Sequence, residues 1–289
     1  MIFPNMGLNK HFLSNKKFSI LKDNFSSFYV PEPFNSYTDQ GIEYYHNRDG
    51  RRCDNFSKET AQENFLFAGC SYTYGTGLPY QHTWAYKLNK DLNGENFYNV
   101  GMPARNFQVI INDIYTYIRL FGKPKTIFLL LPDLKRDHVV RLETNLEQGD
   151  YYEVYPIVSM SFNSKDPEKE SYNKKDHKYL NMEKVYYDFY NTMSQLEDYL
   201  ESLEIPFLWT TWDQWFQKSL AGEKIFKNYF ELDSLEEYVE KNIYPPEELG
   251  KNRKYWLIAA DKPYPHPGIM EQHFYSSQFF KKFDEIKRA

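Results

Sequence analysis

The sequence has little cysteine, no long apolar run and no excess of positive charge, and each of these absences excludes a class of protein. Two cysteines, Cys53 and Cys70, leave room for one disulfide at most and exclude a disulfide framework. No cluster of cysteine and histidine has the spacing of a zinc site, so we expect no metal. A net charge of -5 without any basic run argues against general binding to nucleic-acid phosphates.

Signals for membrane insertion and export are also missing. The longest strongly apolar run lies at 127–131, whereas a helix that crosses a bilayer needs about 20 residues. The N-terminus lacks the basic segment followed by an apolar run that is typical of a signal peptide. We therefore expect a cytoplasmic protein without a membrane or nucleic-acid partner. The pattern gives no indication of an oligomeric state.

Aromatic residues are abundant, and their surroundings divide the chain into two parts. Hydrophobic residues make up 41% and aromatic residues 19% of the chain, which is enough for a packed core. Residues 1–60 show no sustained helical period and are predicted to form an irregular extension, with short strands near 41–46, packed on the main domain. Residues 61–289 alternate apolar runs with amphipathic segments and are predicted to form that domain.

This alternation predicts an α/β fold. The expected elements are strands at 64–70, 96–102, 126–133 and 205–211 and helices at 82–93, 107–121 and 182–203, with a last helix opened by Pro267. The charged region 134–181 is interpreted as an insertion with a hairpin and a loop. Strands joined by helices favour a mostly parallel sheet with helices on both faces. Ligands of such sheets bind beyond the carboxyl ends of the strands.

The first strand end carries a serine that could do chemistry. Ser71 follows Gly69 and Cys70 where the strand turns into a helix, so its hydroxyl would stand at the edge of the sheet. Backbone N–H groups and the helix dipole favour a developing negative charge there. The structural alternative is an N-cap or turn residue.

A histidine near the C-terminus is the second candidate. His266 lies in the segment ADKPYPHPG at 260–268, where the flanking prolines make a rigid turn. Histidine acts as a general base near neutral pH, and a fixed turn would aim it. A single histidine is more often structural or solvated, so this signal is weak by itself.

Three segments together resemble the conserved blocks of the SGNH (GDSL-type) hydrolases. The first block, Gly-Asp-Ser-x-Thr-x-Gly, is similar to GCSYTYG at 69–75. The second, Asn-x-Gly-x-x-Gly, is similar to NVGMPARN at 99–106, and the last, Asp-x-x-His-Pro, to the HPG at 266–268. Serine comes first and histidine last, as in the family. The resemblance covers about 61–135 and 255–289, and the segment between them is unmatched.

The resemblance implies a flavodoxin-like, three-layer α/β/α fold and an esterase that needs no cofactor. Ser71 would attack the carbonyl, and His266 would take its proton and return it to the leaving alcohol. The oxyanion would be bound by the backbone at Ser71, Gly101 and Ala104. The expected substrate is a small molecule or glycan that carries an acyl or acetyl ester. The residues expected to contact it are Tyr72, Asn106 and Arg136.

The chain departs from the family pattern at three positions that bear on catalysis, and more mildly at Ala104, which stands where the family has a glycine and keeps the backbone N–H. The family aspartate beside the serine is Cys70 here, which we interpret as a small packed hydrophobe. The acid expected three residues before the histidine falls on Pro263, so either Asp261 or a backbone carbonyl would orient the imidazole. The asparagine that helps bind the oxyanion is missing, because the third strand ends in Asp133. Arg136 could serve as a cationic donor in its place; the alternative is a solvated strand end.

These departures leave more than one interpretation of function. The chain is predicted to be a serine esterase. The alternative is a module with the same fold and a decayed site, which binds glycans or has a structural role. A third class, a redox protein, would use Cys70 with Cys53 as its resolving partner.

Overall fold

The computed structural model describes residues 17–19, 43–103, 105–134, 136–145, 149–158, 182–220, 225–242 and 266–288. The strands are β1 (Lys17–Ser19), β2 (Glu43–Tyr45), β3 (Phe65–Gly69), β4 (Tyr98–Asn99), β5 (Thr126–Leu131), β6 (Arg136–Asn145), β7 (Gly149–Val158) and β8 (Phe207–Thr211). The α-helices are α1 (Ser71–Tyr74), α2 (Trp84–Asp91), α3 (Phe107–Phe121), α4 (Met182–Ser202), α5 (Gln214–Leu220), α6 (Leu235–Lys241) and α7 (Ile269–Arg288). Within these ranges, no helix combines the length and the apolar character that crossing a membrane requires.

Four parallel strands form the central sheet. Their order is β4-β3-β5-β8, and each neighbouring pair runs in parallel. Numbered along the chain within this sheet, the order is 2-1-3-4, which is how a flavodoxin-like sheet begins. The predicted α/β class with a parallel sheet is therefore confirmed.

Two antiparallel pairs accompany this sheet. β1 pairs with β2, and β6 pairs with β7 from Arg136 opposite Val158 to Asn145 opposite Gly149. The hairpin predicted in the region 134–181 is therefore present. The loop predicted after it falls on 159–181, outside the described residues.

Helices cover both faces of the sheet. On one face α2 packs against α7, and Phe279 of α7 contacts both Trp84 of α2 and Phe128 of β5. On the other face α3 packs against α4, with the rings of Phe107 and Phe189 5.4 Å apart. Because β5 is covered from both sides, all its residues are buried, which explains its unbroken apolar sequence.

A buried ion pair joins the segment before β3 to the rest of the domain. The Arg51 guanidinium donates to Asp113 Oδ1 in α3 at 3.0 Å and to the Val100 carbonyl at 2.8 Å. Burial raises the pKa of Asp113, and the nearby Arg51 and Arg105 offset part of that rise. The same segment inserts the fully buried ring of Phe56. The domain boundary near residue 60 stays a prediction.

Two element boundaries differ from the predictions. The strand expected over 96–102 is limited to Tyr98–Asn99, because the Asn99 side chain accepts from Gly101 N and turns the chain away from the sheet. The last helix begins at Ile269, and Gly268 O accepts its first helical hydrogen bond. Pro267 therefore precedes the helix and does not open it.

β3 passes into α1 at a glycine that has no room for a side chain. A Cβ on Gly69 would lie 2.0 Å from Thr73 Oγ1 and 2.6 Å from the Leu130 carbonyl, and the backbone there has a φ of +154°. The first turn of α1 therefore packs directly on the backbone of two strands. This close approach fixes where Ser71 stands relative to the sheet.

We expect Gly69→Ala to destabilise the protein more than Gly122→Ala. Both glycines have positive φ, but a Cβ on Gly122 would have Ala61 at 4.0 Å as its nearest neighbour. Gly122→Ala should cost about 1–3 kcal/mol from its backbone conformation, and Gly69→Ala a further 1–3 kcal/mol, roughly, from overpacking. Urea unfolding of both variants measures the difference, and equal losses would contradict the packing argument.

Neutralising the buried carboxylate should be far more damaging than neutralising an exposed one. Asp113→Asn removes the carboxylate charge that faces the buried Arg51 guanidinium, so we expect a loss of about 3–5 kcal/mol in the free energy of unfolding. The control is Asp91→Asn, which removes the partner of Lys87 in a half-exposed pair and should cost about 1 kcal/mol or less. Urea unfolding again gives both values. A small effect of Asp113→Asn would show that the pair contributes little.

Candidate active site

The carboxyl ends of β3, β5 and β8 lie side by side along one edge of the sheet. We call this edge the rim and define it by the described residues that follow these strands, 70–75, 132–134, 136 and 212–215. The chain leaves β3 toward β4 on one side and leaves β5 toward β8 on the other. Open α/β sheets bind their ligands at such a reversal of direction. The rim between β3 and β5 is therefore the expected position of a functional site.

Ser71 is the first residue of α1 and lies at the reversal. Its side chain is largely buried, with 5% of the residue exposed. The Ser71 hydroxyl contacts the Cys70 thiol, with Oγ and Sγ 3.9 Å apart. Because Ser71 and Tyr72 open the helix, their N–H groups have no acceptor within it. A hydroxyl with unpaired helical N–H groups beside it suits a site where negative charge develops.

Side chains from distant parts of the chain hold the carbonyls of α1 and of the turn after it. The helix has four residues, too few to satisfy its own carbonyls. Asn99 Nδ2 donates to Thr73 O at 2.9 Å, and Gln272 Nε2 donates to Tyr72 O at 3.2 Å. Arg52 donates to the carbonyls of Tyr74, Gly75 and Leu78 at 3.1, 2.6 and 2.6 Å. The position of α1 is thus set by three segments remote in sequence.

The asparagine and glycine of the second block have a clear structural role. Asn99 connects α1 to the loop after β4, since its Nδ2 bonds Thr73 O and its Oδ1 accepts from Gly101 N at 2.7 Å. A Cβ on Gly101 would lie 2.8 Å from Asn99 Oδ1 and 2.9 Å from Thr73 Cβ, so the position has no room for a side chain. The Gly101 N–H is already committed to Asn99, which argues against its predicted role as an oxyanion donor. Ala104, the other predicted donor, lies outside the described residues.

His266 lies at the same rim as the serine. Its ring is 6.1 Å from the ring of Tyr72, the residue that directly follows Ser71. It precedes α7, whose first helical bond starts at Gly268. The two predicted catalytic residues are therefore carried by segments that meet through Tyr72. Asp261, the predicted orienting acid, lies outside the described residues.

An aromatic pair and an arginine line the rim beside the serine. Tyr72 stacks on Trp212, which follows β8, with ring centroids 4.5 Å apart and planes 20° from parallel. The Arg136 guanidinium lies 5.3 Å from the Trp212 ring centroid, and its Nε donates to Asp133 Oδ2 at 3.0 Å. The carboxylate that the sequence places at the end of β5 is thus neutralised by a neighbouring cation. This arrangement brings β3, β5 and β8 together in one site.

Burial dominates the electrostatics of the rim. It is the largest cause that raises the pKa of Tyr72 and the pKa of the Glu271 carboxyl in α7. Burial also lowers the pKa of Arg136, but Cys70 and Asp133 outweigh it and raise that pKa overall. The guanidinium therefore stays charged inside a region of low dielectric. Its interactions with an anion are stronger there than at an open surface.

Two further sequence candidates have structural positions. Asn106 is the N-cap of α3, and its side chain accepts from Val109 N at 3.0 Å, so its contact with substrate stays a prediction. Cys70 is fully buried among apolar side chains, as expected for a packed hydrophobe. Cys53 is buried and unpaired, and burial raises its pKa. A buried thiol of raised pKa is a poor redox partner, which disfavours the redox interpretation.

The sequence interpretation missed the residues that hold the site together. Arg52, Gln272 and Trp212 lie in segments without a recognisable motif. Their roles depend on contacts between residues far apart in the chain, which spacing along the sequence does not reveal. Among the described residues, no group of His, Cys, Asp and Glu is arranged to hold a metal ion.

Comparison with known proteins gives structural neighbours only. No family model and no curated protein matches the chain. It is similar to a solved structure of a member of the lipolytic protein G-D-S-L family from Veillonella parvula DSM 2008, with 13% identity over 76% of this chain and 98% of that chain and a TM-score of 0.40. It is also similar to a lipolytic protein of the G-D-S-L family from Desulfitobacterium hafniense DCB-2, with 12% identity over 76% of this chain and 98% of that chain and a TM-score of 0.40.

Proposed function

We propose that the protein is a serine esterase with Ser71 as its nucleophile and His266 as its general base. The observation that carries this proposal is the meeting of their two segments at the reversal point of the sheet, where the His266 ring lies 6.1 Å from the ring of Tyr72. A serine that opens a helix at this point and a histidine beside it are the two groups that acyl transfer needs.

The reaction proceeds through an acyl-enzyme. Ser71 Oγ attacks the ester carbonyl while His266 accepts the hydroxyl proton, which gives a tetrahedral oxyanion. The intermediate collapses, the C–O bond to the alcohol breaks, and His266 returns the proton to the leaving oxygen. Water, activated by the same imidazole, then hydrolyses the acyl-enzyme and frees Ser71. Asp261 or a backbone carbonyl orients the imidazole in this scheme.

The oxyanion is stabilised by the Ser71 N–H and by Arg136. The Arg136 Nε–H is taken by Asp133, so its terminal N–H groups are the donors left for a substrate. The guanidinium lies over the Trp212 ring, with Cζ 5.3 Å from the ring centroid. The Asp133 charge is paired with this cation, so it does not oppose the developing oxyanion as an isolated carboxylate would. Arg136 thereby takes the place of the asparagine that the resembling family uses.

The substrate is a small molecule or glycan that carries an acyl or acetyl ester. The support for this choice is the stacked pair of Tyr72 and Trp212 beside the serine. Flat aromatic faces suit the apolar face of a sugar ring or an acyl chain. The competing function, a non-catalytic module of the same fold, would use this surface for binding alone.

Labelling with a fluorophosphonate probe tests the nucleophile. We expect stoichiometric labelling of the wild-type protein and none of Ser71→Ala, because only an activated serine hydroxyl attacks such a probe. Cys70→Ala is the matched control, since its thiol lies 3.9 Å from the same hydroxyl, and it should still be labelled. Absence of labelling in the folded wild-type protein would favour the non-catalytic module, and labelling of Ser71→Ala would place the nucleophile elsewhere.

Removing the cation from the rim should slow the chemical step. For Arg136→Gln we expect kcat on a p-nitrophenyl ester to fall about 100- to 1000-fold, the usual cost of losing one oxyanion donor. The control is Arg119→Gln, which changes an exposed arginine in the last turn of α3 and should leave kcat unchanged. A kcat for Arg136→Gln within about twofold of wild type, far from the loss of an oxyanion donor, would exclude it as that donor.

A further inference from the structure

A buried glutamine connects the helix that follows the histidine to the helix that begins with the serine. Gln272 lies in the first turn of α7, with 1% of the residue exposed. Its Oε1 accepts from Trp84 N at 2.7 Å, and its Nε2 donates to Tyr72 O at 3.2 Å. The orientation of this carboxamide is determined by its partners, because one is a backbone donor and the other a backbone acceptor.

Both partners of Gln272 are groups that their own helices leave unsatisfied. Trp84 is the first residue of α2, so its N–H has no acceptor within the helix. Tyr72 lies in the single turn of α1, which ends before a later N–H can reach its carbonyl, and the N–H of Thr76 bonds Ser71 O instead. A buried backbone group without a partner costs about 1–3 kcal/mol. One side chain therefore removes this cost at two helix ends.

The position of the two Gln272 hydrogen bonds matters more for the candidate site than their strength. Tyr72 directly follows Ser71, and its ring lies 6.1 Å from the His266 ring. Toward its C-terminal half, α7 is anchored to the sheet by Phe279 and Phe283, which pack on Phe128. Near the first turn of α7, Gln272 supplies hydrogen bonds directly to the backbone of α1 and α2. It thus acts where a shift of α7 would carry His266 away from the serine.

We propose that Gln272 is a positioning residue that sets the separation of Ser71 and His266 in the hydrolytic reaction. This inference rests on the proposed esterase function. Gln272 touches neither the substrate nor the reacting atoms. Its backbone is part of α7, and its side chain bonds the Tyr72 carbonyl in α1. The nucleophile and the base therefore keep one relative position. Proton transfer between them depends steeply on that position, since a displacement of about 1 Å costs roughly a hundredfold in rate.

A second glutamine in the same helix provides a matched control. Gln278 is also buried, with 8% of the residue exposed. Its Oε1 accepts from Asp233 N at 3.1 Å, and its Nε2 donates to Asp233 Oδ2 at 3.3 Å. It therefore makes the same kind of two-sided contact from α7, but to the chain before α6 and not to α1. Substitution of Gln278 removes two similar hydrogen bonds without touching the serine helix.

The test compares Gln272→Met with Gln278→Met in the full chain. The measurements are the rate of fluorophosphonate labelling of Ser71, kcat and KM on a p-nitrophenyl ester, and the Tm. We expect Gln272→Met to lower the labelling rate and kcat by about 10- to 100-fold with little change in KM, as for a misplaced catalytic pair. Gln278→Met should change kcat by less than about threefold, well below that effect, at a similar loss of Tm.

The outcomes separate this inference from the proposed function. If wild-type protein is labelled and both variants react at the same rate, Gln272 has only a structural role and the inference is overturned alone. An increase in KM at unchanged kcat would also overturn it, because it would indicate a binding role. If Gln272→Met does not fold, Gln272→Asn keeps the carboxamide but is one methylene too short to reach both Trp84 N and Tyr72 O, and it is expected to show the same selective loss of kcat. If the folded wild-type protein is not labelled at all, the esterase proposal fails and this inference fails with it.

Discussion

A helix of one turn cannot satisfy its own backbone, and the arrangement of the rim follows from that constraint. This helix, residues 71–74, comes just after the buried strand β3 and begins with the candidate nucleophile. Their carbonyls, and those of the turn that follows, accept from Asn99, Arg52 and Gln272. These side chains come from the end of β4, from the segment before β3 and from the last helix. The local need for hydrogen-bond partners is thus met by long-range contacts, which fix the serine relative to the whole domain.

The low dielectric of the rim explains why its charges are arranged in pairs. Asp133 lies just beyond the end of β5 and would be costly to bury alone. Arg136 donates a hydrogen bond to it, and the guanidinium lies over the Trp212 ring. Asp133 uses only the Nε–H of Arg136. The pKa of Arg136 is raised in spite of burial, so the guanidinium keeps its charge. The same burial that makes an unpaired charge expensive makes a correctly aimed one effective on a developing oxyanion.

Much of the fold could be predicted because its signals are local. An apolar run such as 126–131 indicates a strand covered on both faces, and the spacing of apolar residues over 107–121 indicates one face of a helix. The shortening of β4 and the start of α7 after Pro267 were not predicted, since each depends on a single hydrogen bond. In the candidate site, Ser71 and His266 lie in recognisable sequence motifs. The roles of Arg52, Gln272 and Trp212 had no signal in the spacing.

The sequence by itself determined the class of the fold and the order of its elements, and it indicated Ser71 and His266 as candidates for acyl transfer. The signals for strands and helices are patterns of neighbouring residues, so the sequence alone shows them. Tertiary structure alone decided that Asp133 is neutralised by Arg136, that the Gly101 N–H is occupied by Asn99, and that α7 is tied to α1 through one carboxamide. The last of these contacts joins residues far apart in the chain, and the first two depend on how the chain turns after β5 and β4. The packing of these segments on the sheet decides all three, and the order of the residues alone does not give it.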